Sequence, residues 1–98
     1  MIINKTLNEK ELTIEIEGIL DTTTAPKLET ELKQNYDDIT LLVIDLKKLD
    51  YISSAGLRVL LLAQKVMNKQ GKLIIKNVNE TVMEIFEVTN FVQFLTIE

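Results

Sequence analysis

Residues 40–76 read TLLVIDLKKLDYISSAGLRVLLLAQKVMNKQGKLIIK. The first part, Thr40 to Leu46, is a short apolar run rich in branched residues, which is typical of a strand covered on both faces. A helix is predicted from about Ala55 to Gln70, with Gly71 at a position that suits a left-handed C-cap. The next strand is predicted at Lys72 to Lys76. A strand, a long helix and a strand within about 35 residues predict a right-handed crossover between parallel strands.

The chain before this unit predicts two strands and a helix. The strands are expected at Ile2 to Leu7 and at Glu11 to Gly18. The second alternates strictly between apolar and polar residues, which predicts that one of its faces is exposed to solvent. Three threonines and Pro26 then form a helix-start pattern, because proline is tolerated in the first turn. That helix is expected to end near Tyr36, with three residues facing inward: Ala25, Leu28 and Leu32.

The chain after the unit predicts a third helix and a last strand. Asn79 is the expected N-cap of a helix that ends near Asn90, and Val78 and Met83 are spaced for a hydrophobic staple. The last strand is expected at Phe94 to Ile97. The predicted fold is therefore α/β: a single domain over residues 1–98, with a small mixed β-sheet, an antiparallel N-terminal hairpin, a parallel centre and about three helices.

Composition excludes several classes of function. The chain has no cysteine and no histidine, which excludes disulfides, thiolate chemistry and His-based acid–base catalysis and argues against a metal site. No apolar run approaches the roughly 20 residues that span a bilayer, and the N-terminus does not suggest export. We therefore expect a cytoplasmic protein with no membrane partner. A net charge of −4 argues against nucleic acid. The expected partner is another protein.

The junction between the central strand and its helix is the candidate binding site. In open α/β sheets, partners tend to meet the loop at the carboxyl end of a parallel strand. Here the loop enters the helix through Ser53, Ser54, Ala55 and Gly56, whose small side chains leave the first-turn N–H groups open to a phosphate. Two simpler readings stay open: a serine before a helix is often only an N-cap, and the glycine often serves only close packing.

The stretch DYISSAGLRVLL, residues 50–61, resembles the signature of STAS-domain anti-sigma factor antagonists. The resemblance implies that Ser54 is the phosphoacceptor, that Ser53 is the polar residue before it, and that Ala55-Gly56-Leu57 forms the small turn. Many members of the family carry Asp at the position of Ser53. A glycine is frequent at the position of Asn90.

Three further segments resemble the same family. Gly18-Ile19-Leu20-Asp21 is similar to a Gly-x-Leu-Asp element whose Asp lies near the phosphoacceptor in the family's fold. Residues 42–46 resemble the central strand, and residues 71–73 resemble the start of the strand after the crossover helix. Asp21 has a second reading, because an Asp at this place also serves as a cap for the first helix.

The resemblance implies a bacterial switch protein that is not an enzyme and needs no cofactor. Its unphosphorylated form would sequester an anti-sigma factor/serine kinase of the GHKL type and so free a sigma factor, and a PP2C-type serine phosphatase would reset it. The residues implied in partner binding are Asp21, Ser53, Ser54, Ala55, Gly56, Leu57 and Arg58. The alternative is a STAS scaffold or transporter-associated subunit that is not phosphorylated.

Charge is distributed unevenly along the chain. Between Tyr51 and Asn79 there is no acidic residue, whereas five residues are basic: Arg58, Lys65, Lys69, Lys72 and Lys76. Arg58 follows Ser54 by one helical turn, where it would meet a phosphate or an acidic partner surface. The other reading is that these cations are only the solvated side of the crossover helix.

Overall fold

The computed structural model describes all 98 residues. Its elements are β1 (Ile2–Asn8), β2 (Glu11–Leu20), α1 (Ala25–Asn35), β3 (Leu41–Asp45), β4 (Leu49–Ile52), α2 (Ser54–Asn68), β5 (Lys72–Lys76) and α3 (Glu80–Val88). The predicted α/β class, the N-terminal hairpin and the three helices are confirmed. None of the helices is long and apolar enough to cross a membrane.

Strand β2 organises the sheet, whose order is β1-β2-β3-β5. It pairs antiparallel with β1 and parallel with β3 along residues 11–15, and then parallel with β4 along residues 18–20. The register shifts between Gly18 and Ile19, where Gly18 has a φ of 103° that side-chain-bearing residues rarely adopt. The 10-residue strand therefore supports two successive parallel partners on one side.

The core lies between this sheet and the helices. The inward residues of β2, Leu12, Ile14 and Ile16, are at most 1% exposed, which confirms the alternation predicted for that strand. Ala25, Leu28 and Leu32 of α1 are also buried, as predicted. Asn79 is the N-cap of α3, as predicted, and its Oδ1 accepts a hydrogen bond from the Val82 N–H at 2.8 Å.

Two predictions, about the end of the crossover helix and about the last strand, are wrong. Gly71 is not a left-handed C-cap, since Gly18 is the one glycine with positive φ. A Cβ at Gly71 would overlap the Thr40 carbonyl, so glycine is needed for close approach. The predicted strand Phe94 to Ile97 is reduced to one bridge between Ile97 and Ile75, because a 3-10 turn at Phe91–Gln93 occupies the segment before it and leaves Phe94 exposed.

Candidate functional site

The sheet brings the predicted site residues to one edge. Leu20 and Ile52 are partners in the parallel register of β2 and β4, and the Ser53 N–H donates to the Leu20 carbonyl at 2.9 Å. Asp21 directly follows Leu20, and Ser53 and Ser54 directly follow Ile52. The two segments that the sequence singled out therefore leave the same edge of the sheet side by side.

The two serines have different environments. Ser53 is the N-cap residue of α2, with φ −98° and ψ 178°, but its side chain makes no capping hydrogen bond, and its hydroxyl oxygen is buried without a partner. Ser54 is the first helical residue and is exposed. The structure therefore does not show Ser53 as a side-chain cap, and Ser54 is the exposed member of the pair.

The first turn of α2 has open backbone donors. The first helical hydrogen bond joins the Leu57 N–H to the Ser53 carbonyl at 2.9 Å, and the N–H groups of Ser54, Ala55 and Gly56 donate to no backbone carbonyl. The first turn contains no acidic residue. Open donors and the helix dipole favour negative charge at this end of the helix. A phosphate on Ser54 would lie in a compatible electrostatic environment.

Gly56 and Leu57 lie beneath the surface of the site. A Cβ on Gly56 would lie 2.7 Å from the Leu20 Cγ and 2.8 Å from the Ile52 Cγ1, so the close-packing reading of this glycine is confirmed. Leu57 is 3% exposed and belongs to the core. These two residues hold α2 against the ends of β2 and β4, and they offer no side chain to a partner.

Asp21 organises the turn that leads into α1. Its Oδ1 accepts hydrogen bonds from the N–H groups of Thr23 at 2.9 Å and Thr24 at 3.2 Å. The Thr24 hydroxyl in turn donates to the Ile19 carbonyl and accepts from the Asp21 N–H, both at 2.8 Å. The carboxylate thus stabilises the turn before α1. It does not cap the helix itself, whose N-cap residue is Thr24 without a side-chain capping bond, so the reading of Asp21 as the cap of the first helix is wrong. The role toward Ser54 that the family resemblance implies stays a prediction.

Arg58 is an exposed cation next to the serines. The three ion pairs of the chain involve other residues, so its guanidinium has no carboxylate partner. With Ala55 it lines a hollow of about 160 Å³ that faces Thr22 and Pro26 at the start of α1. Lys65 and Lys69 line a groove between α1 and α2 that shares Glu29 and Val59 with this hollow, whereas Lys72 lines a separate hollow with Gln64 and Asn68. The basic residues therefore do not all belong to one face.

Two exposed apolar residues adjoin the site and were not predicted as part of it. Ile19 on β2 and Tyr51 on β4 are register partners, and each is 47% exposed. Large apolar side chains at the surface, an aromatic ring among them, are typical of protein-binding surfaces. Their pairing depends on β4, whose four residues follow the burial pattern buried, exposed, exposed, buried and carry no strand period in the sequence.

Known proteins match this chain in sequence over most of its length. The STAS domain family matches residues 3–98. BtrV of Bordetella bronchiseptica, named as an anti-sigma factor antagonist, is 38% identical over 84 residues, which cover 84% of this chain and 72% of BtrV. The anti-sigma-B factor antagonist of Bacillus subtilis is 31% identical over 91 residues, which cover 92% of this chain and 84% of that protein.

Solved structures support the same fold. The anti-sigma factor antagonist SpoIIAA in its unphosphorylated form superposes with a TM-score of 0.85 at 15% identity, covering 99% of this chain and 88% of that one. SpoIIAA of Bacillus in its phosphorylated form superposes with a TM-score of 0.77 at 14% identity, covering 99% and 91%. From the family match, the two sequence relatives and this fold, the chain belongs to the STAS domain family, among its anti-sigma factor antagonists.

Proposed function

We propose that this protein is a cytoplasmic partner-binding switch controlled by phosphorylation of Ser54. Unphosphorylated, it sequesters an anti-sigma factor that is also a serine kinase of the GHKL type, and so frees a sigma factor. A PP2C-type phosphatase restores the active form. The observation that carries the proposal is the exposed Ser54 at the start of α2, beside open N–H donors and an unpaired Arg58. Both sequence relatives are named as anti-sigma factor antagonists, which supports it.

The proposed interface surrounds Ser54. Arg58 and Ala55 lie on the helix side, Ile19 and Tyr51 lie on the strand side, and Asp21 and Ser53 lie at the junction. Tyrosine and arginine are among the residues that most often dominate the free energy of protein association. Gly56 and Leu57 contribute to this surface from beneath, since they position the first turn of α2.

Phosphorylation would act on docking and leave the fold intact. A phosphate adds about −1.5 to −2 charges at neutral pH. The dipole and the open donors of α2 favour that charge, so the folded state should tolerate it. A partner that covers Ser54 closely would have to remove water from the dianion, which is costly. Phosphorylation is therefore expected to lower partner affinity and not stability.

The transporter-associated alternative is not favoured. Both sequence relatives, at 38% and 31% identity, are named as anti-sigma factor antagonists. A pull-down from the native cytoplasm separates the two functions. We expect the immobilised unphosphorylated protein to capture a serine kinase. Repeated capture of transport components alone would favour the alternative.

Phosphate transfer by the captured kinase tests the role of Ser54. We expect mass spectrometry to find the phosphate of ATP on Ser54 in the wild type and none on Ser54→Ala, which should still bind the kinase because it adds no charge. Ser53→Ala is the matched control and should only slow the transfer. Equal incorporation into wild type and Ser54→Ala would show that another residue is the acceptor.

A further inference from the structure

A second concave surface lies along the groove between α1 and α2. Its volume is about 540 Å³, within the range of roughly 300–1,000 Å³ that small-molecule sites occupy. The apolar part is formed by Leu32 and Tyr36 from the α1 side and by Val59, Leu62 and Val66 from α2. Leu62 is 42% exposed, although it lies beside the buried Leu32 and Val59. The groove is therefore an apolar surface open to solvent.

The rim of the groove carries two cations without a counter-ion. Lys65 and Lys69 lie one turn apart at the end of α2, and neither belongs to an ion pair. Lys33 across the groove is paired with Glu29 at 3.5 Å. Basic residues near a helix C-terminus interact favourably with the dipole, but that preference does not place them over an apolar surface. In a chain of net charge −4, this rim is locally positive.

One end of the groove is fixed by hydrogen bonds. The Gln70 Nε2 donates to the carbonyls of Tyr36 at 2.6 Å and Ile39 at 2.8 Å. Burial, and secondarily the charge of Glu29, raise the pKa of Tyr36 to about 12. A tyrosine with its ordinary pKa of about 10 is already protonated at neutral pH, so the higher pKa only extends the pH range over which the phenol is a hydrogen-bond donor. Protonated lysines and a protonated phenol both match an acceptor of negative charge.

We propose that the groove between α1 and α2 binds a small amphiphilic anion of the acyl carboxylate class. The acyl chain lies on Leu32, Leu62 and Val66, and the carboxylate lies between Lys65 and Lys69. Lys65 follows Ser54 by 11 residues, which is about 16 Å along a helix. The carboxylate position is thus distant from Ser54, although the groove adjoins the hollow lined by Arg58 and shares Glu29 and Val59 with it. Its volume matches a small molecule.

Titration with sodium octanoate, followed by NMR of the backbone amides and methyl groups, tests this site. We expect saturable shifts centred on Leu32, Leu62 and Val66, with a Kd of about 1 mM for a ligand of this size. Lys65→Glu/Lys69→Glu should weaken binding at least about tenfold, because both attractive charges become repulsive. Lys72→Glu/Lys76→Glu, with the same change of net charge outside the groove, should alter Kd by less than about twofold. The dispersion of each variant's spectrum reports its folding.

Four results would overturn the proposal. The first is chemical shift changes that still rise linearly at octanoate concentrations about tenfold above the expected Kd, and the second is an equal loss of affinity in both double variants. The third is binding of neutral 1-octanol as tight as that of octanoate. The fourth is a dependence of the groove chemical shifts on protein concentration in the absence of ligand. The last result would assign the groove to a second copy of the chain. None of these measurements depends on phosphorylation of Ser54.

Discussion

Ser53 and Asn79 occupy the same position at the start of their helices but use it differently. Both have extended backbone dihedrals before the first helical residue. The Asn79 side chain accepts from the Val82 N–H and also donates to the Leu49 carbonyl at 2.6 Å, so it ties α3 to β4. The Ser53 hydroxyl has no partner. The sequence predicts both N-cap positions, but it does not reveal which side chain forms the bond, because that depends on burial and rotamer.

This difference predicts unequal losses of stability. Asn79→Ala should lower the free energy of unfolding by about 1–2 kcal/mol, because it removes a cap. Ser53→Ala should change the free energy of unfolding by less than about 0.5 kcal/mol, because the Ser53 hydroxyl makes no hydrogen bond in the folded protein that the substitution would remove. Urea unfolding followed by far-ultraviolet circular dichroism measures both variants against the wild type. Equal losses would mean that the Ser53 side chain caps α2 in solution.

Helix α2 is the element that places the candidate site, and its position depends on Gly56. The glycine lets the first turn approach Leu20 and Ile52 at the ends of β2 and β4. The sequence predicts this helix and its crossover well, since both flanking strands are continuous apolar runs. It does not predict β4, which has too few residues and no regular burial period. It overpredicts the last strand, because apolar residues such as Phe91 and Phe94 meet edge-on in a turn.

Gly56→Ala tests this packing. Alanine stabilises a helix by about 1 kcal/mol relative to glycine. Its Cβ would, however, overlap the Leu20 Cγ and the Ile52 Cγ1, which lie within those side chains and not at their flexible far ends. Overpacking of this kind commonly costs about 1–3 kcal/mol. We expect a net loss of about 1–2 kcal/mol in the free energy of unfolding. Ser54→Ala, two residues away and exposed, is the matched control and should be nearly neutral; a stabilised Gly56→Ala would contradict the observed packing.

At the scale of the whole molecule, the core is distinct from the surface on which phosphorylation is proposed. The core cluster contains 23 buried residues, and neither Ser54 nor Arg58 belongs to it. The candidate site is assembled from residues 18–21 and 50–58, which meet only because β2 pairs with β4. The motif at residues 50–61 locates Ser54 from the sequence alone. The exposed pair of Ile19 and Tyr51 requires the strand register, and so it is found only in three dimensions.

Ser54→Asp tests the separation of surface charge from fold. Aspartate at the helix start is favoured by the dipole by about 0.3–1 kcal/mol, so we expect thermal unfolding close to that of the wild type. The deciding measurement is calorimetric titration of wild type, Ser54→Ala and Ser54→Asp against the purified anti-sigma factor kinase. We predict that Ser54→Ala binds like the wild type and that Ser54→Asp binds at least about tenfold more weakly, which corresponds to roughly 1.4 kcal/mol. Binding of folded Ser54→Asp with wild-type affinity would contradict the placement of Ser54 in the partner interface.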